Sequence, residues 1–293
     1  MEKARHKIDI DFLRQLDRYD LYVKKRVSTV YAGNRPSTRS GHGIDTIGYR
    51  EYYPGDEMKD IDWKAYGRTE KFYVRQFEEE KTLTVHILLD TSRSMAYKGK
   101  GPVSKYEYAA MFAVGVSYLA ARSNDKYAIS LFTDEPEIHG ASRGTASLLR
   151  TVDTLSDCVL EGLTDLDACS YTYAKMIRSR SLVVIISDFM EDISHIEAAV
   201  RRFSENDLLL IQILDPFETE LDMTGDARFH DMETEIEFKT YVSESFKKGY
   251  HEALNEHIEN ISAVCGRAGA GFYTFTTDTP IFDAFLTAVG RRL

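Results

Sequence analysis

The apolar run Val85-His86-Ile87-Leu88-Leu89 leads straight into Asp90-Thr91-Ser92-Arg93-Ser94. One carboxylate and two hydroxyls at alternate positions can face a common point, and an all-oxygen set of this kind suits a hard divalent cation such as Mg²⁺, or Mn²⁺, which keeps some of its waters. Two further oxygens are expected from Thr164, in Gly162-Leu163-Thr164-Asp165, and from Asp188, which ends the second strongly apolar run Leu182 to Ser187. Only Asp90 and Asp188 would offset the cation's charge, so it would stay attractive to a Glu or Asp of another protein. The plainer alternative is that Ser92 and Ser94 cap the segment after them, because hydroxyls are favoured wherever backbone N–H groups lack partners.

Catalytic patterns are sparse. No GxxxxGK[ST] loop, HExxH pair or GxSxG elbow occurs, and Gly266-Arg267-Ala268-Gly269-Ala270-Gly271 precedes a strand instead of opening a helix. Cys158, Cys169 and Cys265 are odd in number and lack CxxC spacing, so reduced thiols are expected in place of a disulfide framework or zinc site. Asn260-Ile261-Ser262 matches a glycosylation acceptor and is read as accidental.

The elements that must position these residues follow from periodicity. Residues 8–27 carry Ile8, Phe12, Leu13, Leu16, Tyr19 and Val23 at spacings of threes and fours, which predicts an N-terminal amphipathic helix. Residues 31–48, rich in Gly, Ser and Arg, predict a loop. Short β-like stretches then flank the Pro54-Gly55-Asp56 turn: Thr46 to Tyr53, Asp60 to Trp63 and Phe72 to Phe77. From residue 82 strands and helices alternate, as in a parallel sheet covered on both faces. Strands are expected at 83–89, 127–133, 137–139, 182–187, 207–213 and 271–275. Helices are expected at 104–122, 145–156, 167–178, 193–203, 243–265 and 280–292. The organisation expected is therefore residues 1–80 as an N-terminal helix plus a small antiparallel β-subdomain, and residues 81–293 as a doubly wound, Rossmann-like α/β domain with a mostly parallel sheet. A hairpin insertion is expected near 215–240. In such sheets, ligands bind outside the carboxyl ends of strands where the winding reverses, and Asp90 and Asp188 both stand at strand ends.

With 43% hydrophobic and 29% charged residues the 293-residue chain has a globular composition. Its net charge of −10 opposes binding to nucleic acid or anionic membrane. No run approaches the ~18 apolar residues of a membrane span, and the first residues lack a signal-peptide core, so a cytoplasmic location is expected.

Asp90-x-Ser92-x-Ser94, Thr164 and Asp188, in this order, resemble the metal-ion-dependent adhesion site of von Willebrand factor type A domains. The resemblance implies Ser92, Ser94 and Thr164 as hydroxyl ligands, Asp90 and Asp188 as direct or water-mediated ligands, and a coordination position left for a partner's carboxylate. A second resemblance lies just upstream. Gly43-x-Asp45, Arg50-Glu51-Tyr52-Tyr53-Pro54-Gly55-Asp56, Ile61-Asp62-Trp63-Lys64-Ala65 and Arg68 are similar to the signature of the domain of unknown function 58 (DUF58) family, as are Asp215-Pro216-Phe217-Glu218, Leu221, Gly225, Phe229, Asp231 and Glu233-Thr234 further on. That family places its signature ahead of a type A domain, and its members usually accompany MoxR-type AAA+ ATPases, chaperones that mature client complexes. The resemblance implies such a partner. Read from the residues alone, Arg50, Asp56, Asp62 and Arg68 are expected to form a buried ion network, with Trp63 as a packing anchor.

A strand-end aspartate with a distant second aspartate is also similar to haloacid-dehalogenase-like phosphatases, which use Asp as a nucleophile beside Mg²⁺. Those enzymes carry a second carboxylate two positions later, and here that position is Ser92. The expectation is thus a non-enzymatic, metal-dependent protein-interaction module. An Mg²⁺-dependent phosphohydrolase and a scaffold with an empty site are the alternatives.

Overall fold

A computed structural model describes residues 5–16, 46–54, 58, 61–77, 84–232 and 236–290. The chain divides into two units, one of residues 1–26 and 83–293 and one of residues 27–82. The N-terminal residues therefore belong with the larger unit and not, as expected, with the β-subdomain. The helix expected over 8–27 is a single turn within the described residues, α1 (Leu13–Leu16), and residues 17–45 lie outside them. One turn is too short to hold itself in water. Packing supplies the reason it forms, for Phe12, Leu13 and Leu16 are buried, and His6 N donates to the Ser156 carbonyl at 2.9 Å.

In the smaller unit, β1 (Thr46–Glu51) is followed by α2 (Trp63–Thr69) and β2 (Tyr73–Phe77), with β1 and β2 antiparallel from Thr46↔Phe77 to Glu51↔Tyr73. Of the expected Asp60–Trp63 strand, Asp60 lies outside the described residues, Ile61 makes a β-bridge, and Asp62 and Trp63 are corrected from strand to helix start. Asp62 is an N-cap whose carboxylate accepts from Lys64 N at 2.9 Å and Ala65 N at 3.1 Å, satisfying donors that a helix terminus leaves open. Two expectations fall with it. Trp63 is no packing anchor, being 58% exposed at the head of this helix with edge-on contacts to Tyr66 and Phe72. Arg68 is likewise exposed, with Nε on the Lys64 carbonyl, so it joins no buried ion network. Pro54 is exposed in its turn, while Gly55, Asp56 and the Arg50 side chain lie outside the described residues.

The larger unit is a mixed α/β fold around a seven-stranded, mostly parallel sheet. In chain order its elements begin with β3 (Thr84–Asp90), α3 (Lys105–Arg122), β4 (Lys126–Phe132), β5 (Pro136–Glu137), β6 (Ser142–Arg143), α4 (Ala146–Ser156) and α5 (Leu166–Ala174). They continue with β7 (Leu182–Ser187), α6 (Ile193–Arg202), β8 (Asp207–Leu214), α7 (Pro216–Glu220), β9 (Gly225–His230), β10 (Glu237–Val242), α8 (Glu244–Ala268), β11 (Gly271–Thr276) and α9 (Ile281–Gly290). The strand order is β11-β8-β7-β3-β4-β5, with β6 also on β4; only β5 and β6 run antiparallel to β4. The expected hairpin is present as the separate pair β9–β10.

Alternation along the strands divides the core. Leu88, Val183, Ile185, Leu208 and Leu210 pack with Leu166, Tyr173, Ile196, Phe203, Ile261 and Val264 from α5, α6 and α8. The intervening residues Ile87, Leu89, Val184, Ile186 and Ile211 are buried too, on the side covered by α3. Each such side chain contributes roughly 1.5–3 kcal/mol. Helix α3 is buried nearly all round, and at Gly115 a Cβ would stand 3.0 Å from Phe285 and 3.2 Å from Phe12, so a side chain there would push apart the contacts that seat α9 and the N-terminal residues.

Winding reverses at β3. The chain steps from β3 to β4 on one side, then returns to place β7, β8 and β11 on the other, which brings the carboxyl ends of β3 and β7 together as neighbours. Among the described residues, no helix is long and apolar enough to cross a membrane.

Candidate metal centre

All five residues expected to hold a cation converge at that reversal. Asp90 ends β3, fully buried behind Ile87, Leu88 and Leu89. The loop after it is fastened to its neighbours: Thr91 N donates to the Phe132 carbonyl at 2.9 Å, Glu161 N to the Thr91 carbonyl at 3.2 Å, and Arg93 N to the Gly162 carbonyl at 3.3 Å. These bonds draw the 161–165 loop onto the 90–95 loop and place Thr164 beside Asp90. Gly162 has φ of 86°, which an L side chain adopts only with strain. Asp165 then caps α5 through Ala168 N at 2.9 Å.

Asp188 follows β7 directly, and the chain turns away at Phe189, whose φ of 52° is strained for a bulky residue. The turn is held on each side. Gln212 Nε2 donates to the Asp188 carbonyl at 2.8 Å, His257 Nε2 lies 2.7 Å from the Phe189 carbonyl, and Met190 N donates to Asp188 Oδ1 at 3.2 Å.

The oxygens form a connected set. Ser94 Oγ donates to Asp188 Oδ2 at 2.7 Å and stands 3.1 Å from Ser92 Oγ. Thr164 Oγ1 is 3.4 Å from Asp90 Oδ2, and Ser92 N donates to Asp90 Oδ1 at 2.9 Å. The capping alternative has no support at Ser92, whose hydroxyl makes no cap bond to the short 3₁₀ turn Arg93–Ala96. Asp90, Ser92 and Asp188 are buried, whereas Ser94 and Thr164 are half-buried, so the set has a closed floor and an accessible mouth.

Four participants were not foreseen. Ser187 Oγ donates to Asp90 Oδ2 at 2.5 Å. The Lys105 ammonium, 2% exposed, lies 2.8 Å from Asp188 Oδ2 and 2.8 Å from Glu218 Oε1. Asp215 accepts from Gly99 N and Lys100 N at 2.9 Å, Gly101 N at 3.1 Å and Phe217 N at 2.8 Å, tying the loop before α3 to α7. A signal for α7 stood in the sequence: Asp215-Pro216-Phe217-Glu218 is a capping box with Pro at the first helical position, and Glu218 Oε2 accepts from Asp215 N at 2.7 Å. Lys105 left a weaker trace, as a lone cation opening an otherwise apolar helix.

This cradle has little room. A Cβ on Gly101 would fall 1.8 Å from Thr277 Oγ1 and 2.9 Å from Thr277 Cβ, and Thr277 is buried. Gly101→Ala is therefore expected to cost about 2–4 kcal/mol in denaturant unfolding. A loss below about 0.5 kcal/mol would show that the cradle yields freely.

Burial first, and then the nearby Asp188 charge, push the Asp90 carboxyl up to about 7 against hydrogen bonds from Ser187 and Ser92. Burial acts on Asp188 in the same sense, but the Lys105 ammonium outweighs it and holds that carboxyl below its ordinary range. Burial likewise opposes the charge of Lys105, and Asp188 and Glu218 together keep it protonated. Glu191, also raised to about 7 by burial, accepts from Leu166 N at 3.4 Å beside this centre.

A small hard cation fits this donor set. The groups facing one another are three hydroxyls and two carboxylates, with no sulfur or imidazole among them, and oxygen-only sets suit Mg²⁺ or Mn²⁺. Among the described residues, no three His, Cys, Asp or Glu side chains gather as a metal site. With Asp90 ionised, the three carboxylates Asp90, Asp188 and Glu218 against the one ammonium of Lys105 leave a double negative charge that a divalent ion would neutralise.

Comparison with known proteins places the chain in a wider group. The family described as "Protein of unknown function DUF58" matches residues 48–260. The uncharacterized protein Rv1480 of Mycobacterium tuberculosis is 24% identical over 264 residues, spanning 88% of this chain and 83% of that protein. Among solved structures, the conserved hypothetical protein BatB from Bacteroides thetaiotaomicron superposes with a TM-score of 0.45 at 12% identity, over 72% of this chain and 98% of BatB. An aerotolerance-related membrane protein from Bacteroides fragilis gives 0.45 at 14% identity, over 71% and 99%.

Proposed function

The chain belongs to the DUF58 family, and from that premise we propose that it is a cytoplasmic, metal-dependent protein-interaction module whose larger unit is a von Willebrand factor type A-like domain. The observation that carries this reading is the meeting of Asp90, Ser92, Ser94, Thr164 and Asp188, from three separate segments, at one strand-end edge. A bound Mg²⁺ or Mn²⁺ would supply a positive point for a carboxylate. The chain's own residues do the rest. Asp90 and Asp188 hold the cation from the buried floor, Ser92, Ser94 and Thr164 complete the set without adding charge, and the half-buried Ser94 and Thr164 leave one side open. Leu163 and Met190, about half exposed, lie next to the ligating positions and offer apolar contact around a polar centre, the composition of a protein-docking surface.

The partner proposed is a MoxR-type AAA+ ATPase, acting with this chain on a client complex. Calorimetry of the purified protein should show one Mg²⁺ or Mn²⁺ site, and capture of the ATPase should need that ion and be lost in chelator. Capture that is equally strong in chelator would remove the metal from the function.

Catalysis forms no part of this reading. Ser92 occupies the position where a phosphohydrolase of the kind considered above needs a general acid, and it is fully buried. Turnover of a generic phosphate ester should not exceed that of Asp90→Asn protein, and Mg²⁺-dependent turnover abolished by that substitution would reverse the assignment.

A further inference from the structure

Lys105 is 2% exposed at the head of a helix that buries nearly every other side chain. Its ammonium is shared, 2.8 Å from Asp188 Oδ2 and 2.8 Å from Glu218 Oε1, with the Tyr97 ring centre 5.9 Å away. Neither carboxylate is at liberty to leave. Glu218 is tethered through Asp215 N at 2.7 Å, and Asp188 through Ser94 Oγ at 2.7 Å and Met190 N at 3.2 Å. A fixed positive charge is thus built onto one of the two carboxylates of the metal centre. Structural need alone would pair one buried cation with one buried anion. Here two carboxylates, Asp188 and Glu218, share the single ammonium, so the anions outnumber it even before Asp90 is counted.

We propose that Lys105 is a built-in counter-cation that weakens the centre's hold on a divalent ion and, in exchange, leaves the loaded centre neutral and able to accept an anionic group. The inference rests on the metal-centre reading above. With Lys105 in place, a divalent ion brings the group of Asp90, Asp188, Glu218 and Lys105 to zero net charge. Without it, the loaded group stays negative and repels an incoming carboxylate. Glu218 acts in the opposite sense, adding negative charge and drawing the ammonium partly away from Asp188. Both are positioning residues that set the field at the ligands.

The test is Mn²⁺ titration of the full chain, read as loss of the free-ion electron paramagnetic resonance signal, for the wild type, Lys105→Met and Glu218→Gln. Lys105→Met should bind Mn²⁺ about tenfold tighter or more, and Glu218→Gln several-fold weaker. A merely structural role would weaken both, because damage to the site cannot improve it. Equal or weaker binding by folded Lys105→Met overturns the proposal. Where that variant fails to fold, Lys105→Gln, which removes the charge and keeps an N–H donor, decides, with tighter binding in support and equal or weaker binding against. If the wild type takes up no Mn²⁺, the metal-centre reading falls and this inference with it. Wild-type binding with unaltered variants removes this inference alone.

Discussion

Asp90→Ala is expected to lower Mg²⁺ or Mn²⁺ affinity by about 100-fold or more, since it removes one of only two carboxylates among the five ligating groups. Capture of the ATPase should fail with it, while circular dichroism stays that of the wild type. Undiminished metal binding by folded Asp90→Ala would place the cation elsewhere. Asp90→Asn sharpens the test, because its amide oxygen can still accept from Ser92 N, and the Ser187 hydroxyl can turn to accept from the amide nitrogen. The metal-free behaviour then has a definite sign. The Asp90 carboxyl titrates at about 7 in the folded chain, above its unfolded value of about 4, so the folded state holds more protons between those limits. The contribution of Asp90 to the stability of the metal-free protein is accordingly full below about pH 4 and is lost as the pH rises through about 7, by an amount on the order of 4 kcal/mol. Saturating Mg²⁺ should remove most of that loss, and Asp90→Asn should abolish it without metal. Thermal midpoints from pH 5 to 8, with and without chelator, measure it. A metal-free midpoint that does not fall over this range would mean that Asp90 meets a counter-charge other than the one described.

Asp215→Ala should be among the most destabilising single substitutions in the chain. The carboxylate takes four backbone N–H groups, from Gly99, Lys100, Gly101 and Phe217, and is itself fully buried. Truncation leaves those donors without their acceptor and removes the cap of α7, which together cost about 3–5 kcal/mol. In a chain of this size that lowers the thermal midpoint by roughly 6–15 °C. The damage should also reach the candidate metal centre, because α7 carries Glu218 and the 99–101 loop leads into Lys105. Burial alone would raise the Asp215 carboxyl, but the four N–H donors outweigh it and hold it below its ordinary range. Its contribution is therefore present above about pH 4 and disappears as the pH falls through the lower folded value. Asp215→Asn, which keeps one accepting oxygen, should lose about half as much. A loss under about 1 kcal/mol for Asp215→Ala would show that water replaces the carboxylate in the cradle.

Much of the larger unit was legible in the sequence. Strands predicted at 83–89, 182–187 and 207–213 stand at Thr84–Asp90, Leu182–Ser187 and Asp207–Leu214, because continuous β-branched and leucine runs of this length are readable without tertiary context. The helices around them agree to within a few residues. What failed did so locally. Ile61 and Trp63 are β-favouring and predict a strand through Asp62, and Ile61 does make a β-bridge, but the Asp62 carboxylate caps a helix that starts at Trp63. Trp63 is expected as the anchor of a buried ion network, but at the first position of α2 it is exposed.

By itself, the sequence determined the kind of chemistry: a strand-end carboxylate with hydroxyls at alternate positions, and Thr164 and Asp188 to complete an oxygen set. Alternate spacing is a local property, and it survives folding unchanged. Only the tertiary structure decided the charge of that set. Ser187, Lys105 and Glu218 become neighbours of Asp90 and Asp188 because the winding reverses at β3 and places β7 beside it, with α3 and α7 closing over the junction. The electrostatic balance of a buried site depends on distances of a few ångströms between groups far apart in the chain. No pattern along the sequence encodes them.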